Sequence, residues 1–263
     1  MATSVQKHFE LTSESKVDSF GGTLFRVKLT IDCKWGKAGD LGGWVQKDEN
    51  IQGFAWVSGD AQISGDAQIS GKAWVYGDAQ ISGNAWVYGN AQVSGDAQVS
   101  DNALVYGNAQ VYGNAQISGN AWVSGNALVY GNARVYGDAQ VSGNSQISDN
   151  AQVYGDAWVY GNALVYGNAQ ISDNAQVYGN AQVSGDAWGT SPLQIQGSRH
   201  TLTECKKGFL QIGCKCYTFE EWELHFEAIG KAEGYSENQI QEYKLYIDLA
   251  VNLRSLRYGN EKI

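Results

Sequence analysis

Proline is almost missing from this chain: one residue, Pro192, stands against 33 glycines in 263 residues. With 9 Trp and 15 Tyr beside them, that is the composition of many tight turns joined to aromatic-rich strands. Basic charge is also scarce. A formal charge of −9 excludes a sequence-independent grip on phosphate backbones, which needs clustered Lys and Arg, so nucleic acid is not an expected partner. Long apolar runs are absent as well, and none reaches the roughly 18 to 20 residues of a membrane span. The opening MATSVQKHFELTSES lacks the apolar core of a signal peptide. The expectation is a cytoplasmic chain without a membrane partner, whose cysteines, Cys33, Cys205, Cys214 and Cys216, remain thiols. Disorder is excluded by a hydrophobic content of 43%.

What the chain has in abundance is a short period. From Ala55 it reads AWVSGD, AQISGD, AQISGK, AWVYGD, and continues in one frame to Asp186 as 22 hexads without an insertion. The third position is Val or Ile in every copy, from Val57 to Val183, and the first is Ala everywhere except Ser145. These two positions face inward. The residues flanking the aliphatic one, Gln, Trp, Leu or Arg before it and Ser or Tyr after it, then point outward, as side chains alternate along a strand. Gly or Asp followed by Asp, Asn or Lys closes each hexad, a pairing that tolerates positive φ at a corner.

A helix is excluded, because a period of six does not hold an apolar stripe on one face at 3.6 residues per turn. The units are also too short to pair locally as hairpins, which leaves a solenoid whose strands pair in parallel with their copies one coil away. The pattern resembles the left-handed parallel β-helix of the hexapeptide-repeat superfamily, in which three hexads make one triangular coil of 18 residues. That resemblance implies about seven coils here and, at roughly 4.8 Å between strands, a prism about 35 Å long.

Three segments follow. Residues 1–54 form an N-terminal β cap in which TLFRVKLTI reads as a strand and KAGDLGGWVQKDENIQG leads into the first coil; residues 55–188 are the β-helix; residues 189–263 carry a β-hairpin, HTLTECKKGFLQIGCKCYTF, and two α-helices. Thr218 and Glu221 fit a capping box, with Phe219, Trp222, Phe226 and Ile229 on one face of the first helix. Ser236 and Gln239 open the second, which carries Ile240, Tyr243, Ile247, Ala250 and Val251. These helices are expected to cover a coil end or another subunit. The succession of GDLGGWVQKDENI, the hexads and IGCKCYTFEEWELHFEAIGKAEGYSENQIQEYKLYI is similar to a group of bacterial and bacteriophage hexapeptide-repeat proteins, often labelled by analogy with acyltransferases or polymer-forming cytoskeletal proteins. The resemblance implies a phage or prophage origin and, from the superfamily, assembly as a homo-oligomer, with a trimer favoured.

Taking every third hexad sorts the outward residues into unequal faces. One is polar, with Gln62, Gln80, Gln98, Gln116, Arg134, Gln152 and Gln170; one is aromatic, with Trp86, Trp122 and Trp158 beside Tyr88, Tyr106, Tyr160 and Tyr178; the third is intermediate and includes Trp74 and Tyr76. Ladders of Gln and aromatics stabilise a flat parallel sheet, whereas an exposed aromatic band rimmed by polar residues marks an interface. Both readings stay open. The nine aromatics just named are the candidate partner-binding or oligomer-interface residues. Asn90, Asn108, Asn126, Asn144, Asn162 and Asn180 stack on one corner, which is read as structural, and Asp60, Asp78 and Asp96 stack on another, without the calcium-binding nonapeptide signature.

Catalytic signals are sparse. Hexapeptide acyltransferases use a His base between subunits, but His8, His200 and His225 all lie outside the repeats. Cys205, Cys214 and Cys216 with His200 offer zinc-type ligands at a poor spacing, and the glycines lack the strand-loop-helix setting of a phosphate loop. No metal, cofactor or catalytic residue is therefore assigned. The expectation is a non-enzymatic phage-type binding or scaffold protein that engages a bacterial protein partner, with a role in countering host defence. Two alternatives remain open: a hexapeptide-repeat acyltransferase, and a protein that sequesters small nucleotides by stacking bases on its Trp residues.

Overall fold

A computed structural model describes residues 7–19 and 21–258 of the chain. Met1–Gln6, the beginning of the segment read for a leader, fall outside them. Among the described residues no helix is long and apolar enough to cross a membrane.

The hexads form the expected parallel solenoid. Each contributes a strand of two or three residues, and successive hexad strands of each wall pair in parallel 18 residues apart, as Gln98 with Gln116, Leu104 with Trp122 and Gln110 with Leu128. Three sheets result: a glutamine sheet through Gln62, an aromatic sheet through Trp86 and a mixed sheet through Trp74. The bonds holding them run between coils. Trp122 N–H donates to Ala139 O at 2.9 Å, Ser124 N–H to Val141 O at 2.9 Å and Asn126 N–H to Gly143 O at 2.7 Å, and the same triplet recurs from coil to coil. The ladder also extends upstream of Ala55, because Trp44 pairs with Gln62 and Ile51 with Ile69, so the solenoid makes about eight turns where the hexads alone imply seven.

Alanine at the first position and Val or Ile at the third are fully buried along the array. Each buried Val or Ile contributes about 1.5–3 kcal/mol of hydrophobic stabilisation, and the small Ala beside it lets the three walls meet without a void. Ser145, the exception, is also buried, and its hydroxyl donates to Ser142 O at 2.8 Å, which removes the cost of an unpaired polar group. At the corners the chain enters the left-handed region, for example at Gly143 (φ +72°), where an added Cβ would lie 2.8 Å from Gly161 O and 2.9 Å from Gly161 N. Glycine answers both the torsion and the approach of the next coil. Asp101 and Asp149 take the same conformation, and their carboxylates accept the otherwise unused N–H of Gly119 and Gly167, each at 2.9 Å.

The two ends are closed differently. At the start, strand β1 (Phe9–Val17) pairs antiparallel with β2 (Thr23–Leu29), and β2 with β3 (Leu41–Val45), which itself enters the glutamine sheet. This cap lays His8 against Phe54 and Trp56 and buries that tryptophan. At the far end the register slips by one residue: Gln170 N–H bonds to Asp186 O, and Trp188, pairing with Ile171, turns inward as a buried plug where Val or Ile would stand. The expected hairpin is wider than predicted. Strands Gln194–Gln196, Thr201–Lys206, Phe209–Ile212 and Lys215–Thr218 form a four-stranded antiparallel sheet, turned at Gly208 and Gly213, both with positive φ. Helices α1 (Phe219–Ala232) and α2 (Glu237–Tyr258) pack on this sheet, with Phe219, Trp222, Tyr243, Ile247 and Ala250 meeting Leu202, Leu210 and Ile212. The capping box holds, since Glu221 N–H donates to Thr218 Oγ1 at 3.1 Å and Thr218 N–H to Glu221 Oε2 at 2.9 Å. The helices thus back their own sheet, and it is the sheet that touches the last coils, through Gln211 Nε2 to Gln182 Oε1 and Gln194 Nε2 to Tyr178 O.

A pair of corner substitutions isolates the inter-coil approach. Gly167 has φ +66°, but a Cβ there meets nothing nearer than Gly185 N at 3.8 Å. Gly167→Ala should lose only the torsional cost, about 1–2 kcal/mol, whereas Gly143→Ala should lose distinctly more because its Cβ collides with backbone. Urea unfolding of both variants measures the difference, and equal losses would show that the approach of the coils is not limiting.

Candidate functional site

Two places gather chemistry-bearing side chains: the aromatic sheet and a cleft at the C-terminal end of the solenoid. On the aromatic sheet the structure brings together seven of the nine candidate aromatics. Trp86, Trp122 and Trp158 stand on every second strand and are 41%, 43% and 45% exposed. Tyr88 stacks on Tyr106 at 4.9 Å and Tyr160 on Tyr178 at 5.4 Å between ring centroids. Trp74 and Tyr76 lie on the mixed sheet instead, stacked on each other at 4.2 Å, with Trp35 of the cap 5.5 Å from Trp74. They are half-buried beneath the cap.

Tyrosine stacking does not distinguish the faces. Tyr112 stacks on Tyr130 in the mixed sheet and Tyr136 on Tyr154 in the glutamine sheet, at 5.0 and 4.9 Å, so each wall has such a pair. Burial in these stacks raises the phenol pKa of Tyr88, Tyr112 and Tyr136, keeping them neutral. What sets the aromatic sheet apart is its three exposed indoles. Trp86 is oriented by its Nε1–H, which donates to Ser70 Oγ at 3.0 Å.

The corners are structural. Asn90, Asn108, Asn126, Asn144, Asn162 and Asn180 form one continuous amide ladder, each Nδ2 donating to the next Oδ1 at 2.9–3.1 Å. Because all donors point one way, an acid fits where a ladder ends, and Asp138 terminates the run from Asn84 by accepting from Asn120 at 2.8 Å. The acidic corner is answered by the N-terminal cap: Arg26 lies 3.6 Å from Asp60, and Asp60 and Asp78 attract the Lys16 ammonium, whose pKa burial nonetheless lowers. Among the described residues, no group of three or more His, Cys, Asp or Glu could hold a metal ion.

The cleft, with a volume of about 660 Å³, lies where the last coils meet the C-terminal sheet. Arg199, His200, Gln211, Cys214 and Cys216 line it beside Gln182 of the solenoid. Its floor is anchored by Tyr243, whose hydroxyl donates to His200 O at 2.6 Å and accepts from His200 N–H at 2.5 Å. Burial, then the neighbouring Tyr243, pushes the Tyr235 phenol up to about 12. Cys205, expected to remain a thiol, is buried with its Sγ 3.0 Å from Cys216 Sγ. Spacing along the chain did not reveal this pair, because a bulge between Glu204 and Lys206 is what brings Cys205 toward Cys216 across an intervening strand. Of the histidines, His200 lines the cleft, His225 is exposed on α1, and His8 is buried with Nε2 2.9 Å from Ala55 O.

The coils match the family model described as YdcK beta solenoid repeat, in eleven matches between residues 61 and 188. The chain is a β-solenoid repeat protein. The YdcK-type matches run from the first hexad strand of the glutamine sheet, Gln62–Ile63, to Trp188, and the N- and C-terminal segments lie outside them. No curated protein matches the chain.

His8 should make the N-terminal closure pH-dependent. Burial is the main cause that lowers its pKa below the ordinary value of 6.5, with Lys7 adding to it and the Ala55 carbonyl opposing it. The folded state therefore binds fewer protons than the unfolded one, so stability is complete above pH 6.5 and declines as pH falls below it, by at most about 1.4 kcal/mol per pH unit. His8→Gln keeps a donor for Ala55 O and removes the titration. Its unfolding free energy should fall less steeply than the wild type's from pH 6.5 to 5, and parallel curves would exclude His8 as the cause.

Proposed function

We propose that this protein is a non-enzymatic scaffold whose aromatic sheet joins it to further copies of itself, as the trimer common among hexapeptide-repeat proteins. The observation that carries this reading is the alternation along that sheet. Between Trp86 and Trp122 stands Leu104, and between Trp122 and Trp158 stands Gln140. The indoles therefore repeat at two coils, about 10 Å, with a smaller side chain in each gap. A surface of the same period fills every gap at once, and a second copy of this solenoid has that period. Exposed tryptophans are also the residues whose burial contributes most at protein interfaces.

In the finer form of this proposal the protein is phage-type and the assembled scaffold engages a bacterial protein, countering host defence. The resemblance of the flanking segments supports that origin; the assembly does not depend on it.

The test is solution mass by light scattering across a concentration series, for the wild type and for the combined Trp86→Ser, Trp122→Ser and Trp158→Ser variant. The wild type should be oligomeric and the variant monomeric with an unchanged far-ultraviolet circular dichroism spectrum, because the three side chains point out of the core. A single substitution should weaken assembly by about 2 kcal/mol, roughly thirtyfold in dissociation constant. A monomeric wild type, or a variant that keeps the wild-type mass, would refute the reading.

A further inference from the structure

We propose that Cys205 and Cys216 form a dithiol–disulfide exchange site, in which Cys216 at the wall of the cleft takes up a small disulfide and Cys205 resolves the adduct.

The two thiols differ as such a pair requires. Cys205 is buried and Cys216 is exposed, yet their sulfurs lie 3.0 Å apart, so an incoming reagent meets Cys216 first and Cys205 stands within about 1 Å of bonding distance. Cys216 lines the cleft of about 660 Å³, which leaves space beside it for a small disulfide. Cys214, two residues away and also exposed, has no such partner within the sheet, and Cys33 belongs to the opposite cap.

The electrostatics agree with the geometry. A hydrogen bond from Cys205 is the largest influence on Cys216 and, with the Lys206 ammonium nearby, holds its pKa down to about 7 against the opposing cost of burial. The same hydrogen bond and burial push the Cys205 thiol well up. The reactive thiolate is thus at the accessible position. Once Cys216 is capped its negative charge is gone, and with it two of the causes that raise Cys205, which frees Cys205 for the second step.

The chemistry balances without a further reagent. Cys216 Sγ attacks one sulfur of RSSR, forming Cys216–S–S–R and releasing RS⁻. Cys205, giving its proton to that thiolate, attacks Cys216 Sγ and expels the second RS⁻. Two protein thiols are oxidised to one disulfide, and one small disulfide is reduced to two thiols.

The whole chain makes the test clean, because trypsin cuts after Arg199, Lys206, Lys215 and Lys231 and so puts Cys205, Cys214 and Cys216 on separate peptides. Full-length protein is treated with oxidised glutathione near pH 7, blocked with iodoacetamide and mapped by mass. The wild type should lose two hydrogens without retaining glutathione, with Cys205 linked to Cys216, and Cys216 should react about threefold faster than an ordinary thiol, the net of more thiolate and a weaker nucleophile. Cys205→Ser should retain one glutathione on Cys216, and Cys216→Ser should leave Cys205 unmodified. Should either variant fail to fold, the wild-type map alone decides. Glutathione persisting on Cys216 in the wild type, or linkage or modification at Cys214 with Cys205 and Cys216 both still thiols, would overturn the proposal.

Discussion

The structure depends on the hydrogen bond from each coil to the next. Every hexad strand is too short to be stable alone, and it has no partner strand within its own coil; the amides of its outward and corner residues, such as Trp122, Ser124 and Asn126, are satisfied by carbonyls of the next coil. That single demand sets the 18-residue register, the positive φ of the corners and the near absence of room beside them. At Gly143 even a methyl group would strike the backbone of the following coil. Side-chain choice follows from the same stacking: any position that faces a copy of itself must be compatible with that copy, which is why the corner amides form directional ladders and the outward tyrosines stack face to face.

Stacking without limit would make an open fibre, so the ends matter as much as the coils. They are closed by sequence that breaks the period. At one end an antiparallel sheet folds over Trp56 and holds neutral His8 beneath it. At the other, a slip of one residue turns Trp188 inward, and a four-stranded sheet with two helices behind it covers the last strands. Both devices place a large aromatic side chain against the narrow Ala and Val interior.

The period made the solenoid legible: Val or Ile at every third position of the hexad and Ala at the first leave one way to bury both, and the sorting of Gln62, Trp86 and Trp74 onto separate sheets follows from counting by 18. The helices were legible through Thr218, Glu221 and their apolar spacing. What was not legible depends on contacts between segments that have no common period. The inward turn of Trp188 arises from a register shift where the hexads stop, the extra strands at both ends pair with partners far away in sequence, and Cys205 meets Cys216 only because a bulge displaces it. The exposed band of Trp86, Trp122 and Trp158 was visible as a pattern, but the pattern does not separate stacking from exposure. The structure separates them: tyrosine pairs occur on all three walls, while the strongly exposed indoles occur on one.

Coil-to-coil register governs this fold, and removing part of the ladder tests that most directly. A chain lacking residues 109–126 loses one whole coil and rejoins the hexads in frame; a chain lacking 109–125 keeps one residue too many at the junction and breaks the 18-residue register between the coils on either side of it. Hydrogen exchange should show the first deletion protected straight across the junction and the second unprotected in the two coils that flank it. Equal protection in the two chains would contradict the account.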